Sequence, residues 1–477
     1  MKDVRAQIDT LVDWATGHGA RLHDQVEVYH DASTGLSLRV APSASEALPA
    51  WAPIVSLPTA LSLSYLNARD RLPEALLARL PRYIVGRLLL AHEFLAGRAS
   101  FWWPYIQALP QPADRAAWAL PPFWPAGEAE LLEGTNVEVG VQKIRHDVAA
   151  EVARVRDALR PWLAPNQAAA ASVQPLALAL AQSPSLYHWA YCIFSSRSFR
   201  PSLVLPHAAA DDFSVLLPVF DLGNHDMTTQ VRWELDHAGR HCMLRVGRAH
   251  APGQQIYNNY SMKTNAELLL GYGFMLPTTD LLHNDYTHVR KRTNAAPVAE
   301  DEYLISLRPL SHPSSMLARE RAKTAVPDRV LGAFCHVEPD MVWDMFCTLS
   351  ASHHCSPPPD PSADQSRRAR FLAGRVDDDA REFLDQTIAM IQHKVLQELE
   401  RLNETEYDVD LVNLALLTPN ERLALDYRER CRNVLDNTLE AIDADAIDAD
   451  AIDADAMPPD RLDACHARQP EHQHPPD

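Results

Sequence analysis

Apolar residues at Val4, Ile8, Leu11, Val12 and Ala15 recur at helical spacing and predict a helix over residues 3–18. Two short apolar runs follow, Val26 to Tyr29 and Leu36 to Val40, and predict strands on either side of the turn Asp31-Ala32-Ser33-Thr34-Gly35. Between residues 60 and 200, Ala, Leu, Arg and Trp return at helical spacing, as in Pro73 to Leu80 and in 82–97. Residues 203–257 revert to strand patterning at 215–217, 231–235, 242–246 and 256–258, the last after a tight turn at 251–255. From about residue 285 the pattern is mostly helical, with Leu384, Ile388, Ile391, Val395, Leu399 and Leu402 on one stripe and a proline loop at 357–361.

Two places depart from this alternation. At Leu217-Pro218-Val219-Phe220 an apolar strand ends by delivering Asp221, Asn224 and His225 into a turn. Strand ends that present polar groups are where binding sites tend to be built. Some 35 residues later, Asn258-Asn259-Tyr260 precedes a short helix, Asn265 to Leu270, which is followed by Gly271-Tyr272-Gly273-Phe274. Two tyrosines therefore flank one short helix.

Composition narrows the possible functions. The 477 residues suffice for two or three domains, and 47% hydrophobic content supports a sizeable core. The formal net charge of -19 argues against a broad nucleic-acid-binding surface and suits basic partners. Residues 441–477 carry ten acidic residues and two Arg, so -8 of that charge lies there and -11 in the body. This tail includes three copies of Ala-Ile-Asp-Ala-Asp at 441–455, too poor in large apolar residues to build a core, and is expected to be disordered.

Seven dispersed cysteines, with no Cys-x-x-Cys pair, read as reduced thiols. No apolar run reaches membrane-spanning length and the first residues open an amphipathic helix. The expectation is a protein of the cytoplasm, the nucleus or both, with no membrane partner. Asp221, His225 and Asp226 on one turn form a weak metal pattern because no fourth ligand accompanies them, and no metal is expected. His353-His354-Cys355 beside prolines reads as a surface loop.

Four pieces occur in a telling order: Ser196-Arg197-Ser198-Phe199, Asp221-Leu222-Gly223-Asn224-His225, Tyr260 followed by Asn265-Ala266-Glu267-Leu268, and Tyr272-Gly273-Phe274. Together they resemble the SET-domain protein methyltransferases, and within them the class of the ribulose-bisphosphate carboxylase large-subunit lysine methyltransferase. Leu416-Leu417-Thr418-Pro419-Asn420-Glu421-Arg422 through Arg428 resembles the last helices of that class. The resemblance covers most of residues 1–435. It implies an α+β fold, a SET domain of short, knotted β-sheets split by a helical insert, followed by an all-α C-terminal domain. The corresponding boundaries are a SET domain over 1–280 with its insert around 65–195, a helical substrate-binding domain over 281–440, and the acidic tail over 441–477.

The reaction implied is in-line transfer of a methyl group from S-adenosylmethionine to a nitrogen of a protein substrate, expected to be basic and non-histone, by a monomer. The leading acceptor is lysine; the same motif class includes a histidine methyltransferase, and a catalytically weak binding module is a further alternative. A free lysine has a pKa of about 10.4, so deprotonating it at pH 7 takes roughly 4–5 kcal/mol. An apolar channel and a neighbouring sulfonium would both lower that pKa. By resemblance, Tyr260 and Tyr272 are catalytic and wall the channel from opposite sides. Thr34, Gly35, Leu36, Arg197, Asn224 and His225 bind the cofactor, with the His225 ring and backbone reaching its adenine. Arg197, Asp221, Tyr260 and Tyr272 contact the substrate. For an imidazole acceptor, Asn258 or Asn259 would supply the second hydrogen bond. One departure stands out: the family's first cofactor loop reads Gly-x-Gly-Leu, and here only Gly35-Leu36 remains, after Ser33-Thr34. Altered cofactor binding is the expectation, since backbone packed on a ligand often needs glycine.

Overall fold

The structure, a computed structural model, describes residues 4–163, 172–205, 212–290, 302–322, 327, 329–350, 361–405 and 416–452. It divides into two units. The first takes Met1–Thr278 together with Leu402–Cys431; the second takes Thr279–Arg401 and Arg432–Asp477.

The first unit opens with the helix Val4–Gly17, which buries Ile8, Leu11 and Ala15. Strands β1 (Arg21–Leu22), β2 (Val26–Asp31), β3 (Gly35–Val40) and β4 (Pro53–Pro58) follow. The helical segment comes next, with Arg82–Ala96, Glu138–Leu159, Gln174–Gln182 and Ser185–Arg197 as its longer helices. The chain then returns to strands β5 (Ser198–Phe199), β6 (Val215–Leu216), β7 (Val231–Leu235), β8 (His241–Val246) and β9 (Gln255–Ile256). These form small sheets ordered β1-β4-β8-β7, β2-β3-β9 and β5-β6. Early strands thus pair with late ones across the helical segment: β3 takes β9 as its antiparallel neighbour, and β4 takes β8.

One core runs through this unit, and it includes Leu402, Ala424, Tyr427 and Cys431. The helix Pro419–Ile452 begins at a capping box in which Thr418 and Glu421 satisfy each other's backbone N–H groups. Buried Arg428 donates to the carbonyls of Leu131, Glu133, Leu402 and Thr405. Tyr427 donates its hydroxyl to Asn136 Oδ1 at 2.5 Å. The start of this helix therefore packs with the first unit, although its sequence resembles the end of a substrate-binding domain.

The second unit carries its own core, built on Phe334, Met341, Phe346, Phe371, Ile391 and Val395. It opens with an antiparallel pair, β10 (Tyr286–Arg290) and β11 (Glu302–Ser306), where the sequence predicts mostly helix. Val289, Tyr303 and Ile305 of this pair join the core, which explains why apolar residues sit there without helical spacing. Of the stripe predicted on Asp378–Glu404, Leu384, Ile391 and Val395 are buried in this core, while Leu402 belongs to the first unit's core.

The final helix continues through Ile452, into the repeat whose sequence predicts disorder. Alanine has the highest helix propensity, and Ile442 is buried on the second unit's core. Residues 453–477 of the tail, and His353-His354-Cys355, lie outside the described residues.

Candidate active site

The turn after β6 enters the site through Val219, a fully buried β-branched residue with φ of 69°. That left-handed conformation is strained for valine and persists only where packing over-determines it. A single 3-10 turn, Phe220–Leu222, then places Asp221. Gly223 passes so close to the chain after β9 that an added Cβ would lie 3.0 Å from Asn258 Cβ. The two segments lock there: Asn258 N–H donates to the Asn224 carbonyl at 2.7 Å, and Asp226 N–H to the Asn258 carbonyl at 2.9 Å.

The second segment is held by its helix, Asn265–Tyr272. Thr264 and Glu267 form a capping box at its start, and Gly273 at φ 78° ends it in the left-handed conformation. Asn265, 1% exposed, accepts from Leu276 N–H at 2.8 Å and donates to the Leu276 carbonyl at 3.1 Å. This two-point clamp folds the chain back after the helix and so fixes Tyr272 and Phe274. Sequence reasoning quoted Asn265 only as part of a motif; its clamp is its physical content.

Seven of the nine residues assigned by resemblance meet in one cavity of about 220 Å³. Thr34, Leu36 and Asn224 line one part of it, and Arg197, Asp221, Tyr260 and Tyr272 another. Trp118, Leu120 and Phe274 complete the apolar part. A second cavity of about 160 Å³ lies beside it, bordered by Phe199, Arg200, Trp233 and Asn258. Ser196, Arg197, Asp221, Tyr260 and Tyr272 border both. Gly35 and His225 border neither.

The tyrosines do not face each other across a gap. Their rings stack with centroids 4.9 Å apart and 18° between planes. Admitting a methylene chain between two ring faces takes about 7 Å, twice an ordinary carbon contact of about 3.5 Å. His225 extends the stack, 5.0 Å and 11° from Tyr260. The expected pair of opposing walls is therefore one continuous wall of three rings, and the His225 ring, expected at the adenine, stands behind Tyr260. Its Nδ1 accepts from Tyr260 N–H at 3.0 Å, and burial holds its pKa down to about 4, so the ring is neutral. Tyr260 donates its hydroxyl to the Gly223 carbonyl at 2.9 Å, and burial raises its pKa above that of a free tyrosine.

Charge borders the same two cavities as Tyr260 and Tyr272. Arg197 Nη1 lies 3.6 Å from Asp221 Oδ2 and donates to the Asp221 carbonyl at 3.4 Å. The Tyr105 hydroxyl, from the helical insert, donates to Asp221 Oδ2 at 2.8 Å. Burial pushes the Asp221 carboxyl upward against the lowering influence of Arg197 and Tyr105. Asp221 Oδ1 is buried with no hydrogen-bond partner. Sequence reasoning missed Tyr105: it sits in the aromatic run Phe101-Trp102-Trp103-Pro104-Tyr105, which reads as core, 116 positions from Asp221.

The altered first loop has its own support. Asp31 Oδ1 accepts from Ser33 N–H, Ser33 Oγ and Thr34 N–H at 2.9, 2.6 and 3.1 Å. These bonds, led by the Ser33 hydroxyl, hold its carboxyl down to about 2. An acidic turn thus does the shaping that a glycine would otherwise allow, while Gly35 takes φ of 74°. Buried Ser37 ties this loop to the site, lying 3.1 Å from Thr34 Oγ1 and accepting from Asn224 Nδ2 at 2.7 Å.

Asp221, His225 and Asp226 each have separate partners, Asp226 accepting from Thr228 and Thr229. Among the described residues no group of three or more His, Cys, Asp or Glu is placed to hold a metal. No described helix is long and apolar enough to cross a membrane.

The fold finds its counterpart in solved structures. The SET domain of LSMT bound to lysine and AdoHcy superposes with a TM-score of 0.57 at 16% identity, covering 94% of this chain and 93% of that one. Rubisco LSMT bound to AdoMet gives 0.57 at 17%, covering 93% of each. This chain has the SET fold. Its relatives in sequence are SET-domain protein methyltransferases. Protein-lysine N-methyltransferase EFM1 of Saccharomyces cerevisiae is 25% identical over 303 residues, 57% of this chain and 50% of the relative. Ribosomal lysine N-methyltransferase set10 of Schizosaccharomyces pombe is 26% identical over 281 residues, 57% and 46% of the two chains. The actin-histidine N-methyltransferase of Gallus gallus is 28% identical over 276 residues, 55% and 42%. The SET chain spans about half the length of these relatives, and no family model matches it.

Proposed function

We propose that this chain is an S-adenosylmethionine-dependent protein-lysine N-methyltransferase, acting as a monomer on a basic, non-histone protein in the cytoplasm, the nucleus or both. The observation that carries the reading is the shared border: two cavities meet at Arg197, Asp221, Tyr260 and Tyr272. A donor in one and an acceptor in the other would be aligned across that border, which is the main contribution an enzyme makes to a direct transfer. The lysine methyltransferases among its relatives and the AdoMet- and lysine-bound SET structures support it. The acidic body, net -11, favours a basic protein partner. The five described cysteines, all free thiols, suit a reducing compartment.

The first cavity fits the cofactor. Asn224 spends its amide N–H on Ser37, which leaves Oδ1 as an acceptor for an α-ammonium. Trp118 and Phe274 offer aromatic surface for a purine, and Thr34 and Leu36 offer backbone. When bound, the cofactor supplies a methyl group on a sulfonium. The chain's residues do the rest. Tyr260 commits its proton to Gly223, so its oxygen turns lone pairs toward a positively polarised methyl. A raised pKa keeps that hydroxyl protonated at neutral pH, so Tyr260 orients and does not abstract. His225 supports the ring from behind. The stacked rings and Phe199 exclude water, which favours the neutral amine of the target.

Lysine is favoured over histidine by Asn258. An imidazole that attacks through one nitrogen carries its proton on the other and needs an acceptor there. Asn258 Oδ1 already accepts from Trp233 Nε1 and Asn259 N–H, leaving only its buried Nδ2, a donor. Asn259 Oδ1 accepts from Ser261 N–H at 2.8 Å, and its Nδ2 is held by the Met227 and Thr229 carbonyls, which fixes the amide in that orientation.

The test is labelled methyl transfer from S-adenosylmethionine into a lysate lacking this protein, followed by identification of the modified residue. Methyl-lysine is expected, and methyl-histidine would replace the reading with the imidazole one. Calorimetry with S-adenosylmethionine is the companion measurement; absence of binding would leave only a non-catalytic module. In Tyr260→Phe, transfer should fall roughly 100-fold while cofactor affinity holds.

A further inference from the structure

The insert's Tyr105 touches neither cavity, yet its hydroxyl reaches the charge wall. It is 1% exposed and anchored locally, since its neighbour Trp102 donates Nε1 to the Leu61 carbonyl at 3.1 Å. Asp221 has two carboxylate oxygens with different fates. Oδ2 takes both Tyr105 and Arg197; Oδ1 is buried and takes no hydrogen bond from any other residue. A buried acceptor without a partner is a costly arrangement in a resting protein. It makes sense where a donor arrives during function, and Asp221 borders both cavities.

We propose that Tyr105 is a positioning residue: by holding Asp221 Oδ2, it presents Oδ1 to the nitrogen of the incoming lysine. The inference rests on the methyltransferase reading. The target amine carries N–H donors in either protonation state, so Oδ1 can fix its direction and leave the lone pair aimed along the transfer axis. Arg197 alone would not set the carboxylate's rotation, because its contact to Oδ2 is 3.6 Å and off the range of a good hydrogen bond. The helical insert, which separates the early strands from the late ones, thereby supplies a part of the site that none of the motif segments contains.

A double-mutant cycle tests it, with labelled S-adenosylmethionine as donor and lysate lacking this protein as acceptor. Tyr105→Phe keeps the ring and removes the hydroxyl; it should slow transfer roughly tenfold, the value of one bond to a charged group. Asp221→Asn should slow it roughly 100-fold, and the double variant should match Asp221→Asn within about twofold. Cofactor affinity of Tyr105→Phe should equal that of the parent protein, which shows the fold intact. The pH profile separates positioning from mere packing. Asp221 is faced by Arg197, Tyr105 and Tyr260. Losing the Tyr105 hydrogen bond raises the Asp221 pKa, so the acid limb of transfer moves to higher pH in Tyr105→Phe. A packing role would lower the profile without moving that limb. Rates equal to the parent, or single effects that multiply in the double variant, overturn the inference while the function stands. A parent protein that transfers no label to the lysate overturns the function and the inference with it.

Discussion

The two faces of the site are held together by opposite means. On one side three rings, His225, Tyr260 and Tyr272, lie in register, fixed by a capped helix, a clamp and backbone hydrogen bonds. On the other, a buried carboxylate is balanced by one guanidinium and one hydroxyl drawn from distant parts of the chain. Stacking is tolerant, because each contact contributes little and neighbours compensate. Buried charge is brittle, because removing one partner strands the other without solvent. The difference teaches where the sequence has freedom: the ring wall can loosen by degrees, and the charge wall cannot.

The hardest strike on this comparison is Arg197→Ala. It leaves Asp221 buried without a countercharge, held only by the Tyr105 hydroxyl, and should lower stability by about 3–5 kcal/mol in chemical denaturation. A loss below about 1 kcal/mol would mean that the charge wall is as forgiving as the ring wall. Acid strikes the rings instead. The His225 pKa is depressed from 6.5 to about 4, so the unfolded chain binds the extra proton first. Stability should therefore fall as pH drops from 6.5 toward about 4, because burial keeps the folded ring neutral while the unfolded ring takes up its proton. Asn in place of His225 should flatten that part of a melting-temperature curve against pH. His188 and His283, also held down to about 4 by burial, would keep the remaining slope.

Two smaller changes sharpen the picture of the ring wall. Asn265→Ala removes both bonds to Leu276 and should cost about 2 kcal/mol, with altered tyrosine signals in near-ultraviolet dichroism. Unchanged dichroism would show that the clamp does not hold Tyr272. Ser261, exposed and at φ of 80°, stands directly after Tyr260. Ser261→Gly relieves that conformation and should raise stability by about 0.5–1 kcal/mol, seen as a small rise in melting temperature.

Much of this was legible in the sequence because short-range chemistry writes itself plainly. The Thr264-to-Glu267 cap, the glycine after Tyr272 and the strand pattern of 231–246 all follow local rules. What stayed hidden depends on chain ends meeting over long separations. Tyr105 looks like one aromatic among several until Asp221 lies beside it. Arg428 looks like one basic residue on a charged helix until it meets four carbonyls. Ring orientation was hidden for another reason: spacing fixes where tyrosines attach, not whether their faces oppose or stack. In the repeat, poverty in large apolar residues hides a wealth of alanine, which extends the preceding helix as far as Ile452.

The first unit is discontinuous along the chain: its body ends at Thr278, and its last piece spans Leu402–Cys431. During synthesis the ribosome releases every residue of the ring and charge walls long before it releases Leu402, Ala424, Tyr427 and Cys431, which finish that unit's core. The nascent site must wait, with the carbonyls of Leu131 and Glu133 open, while more than a hundred intervening residues emerge. For the growing polypeptide, assembly of this site is a late event in its biogenesis, timed by the arrival of a helix that contributes little to the chemistry itself.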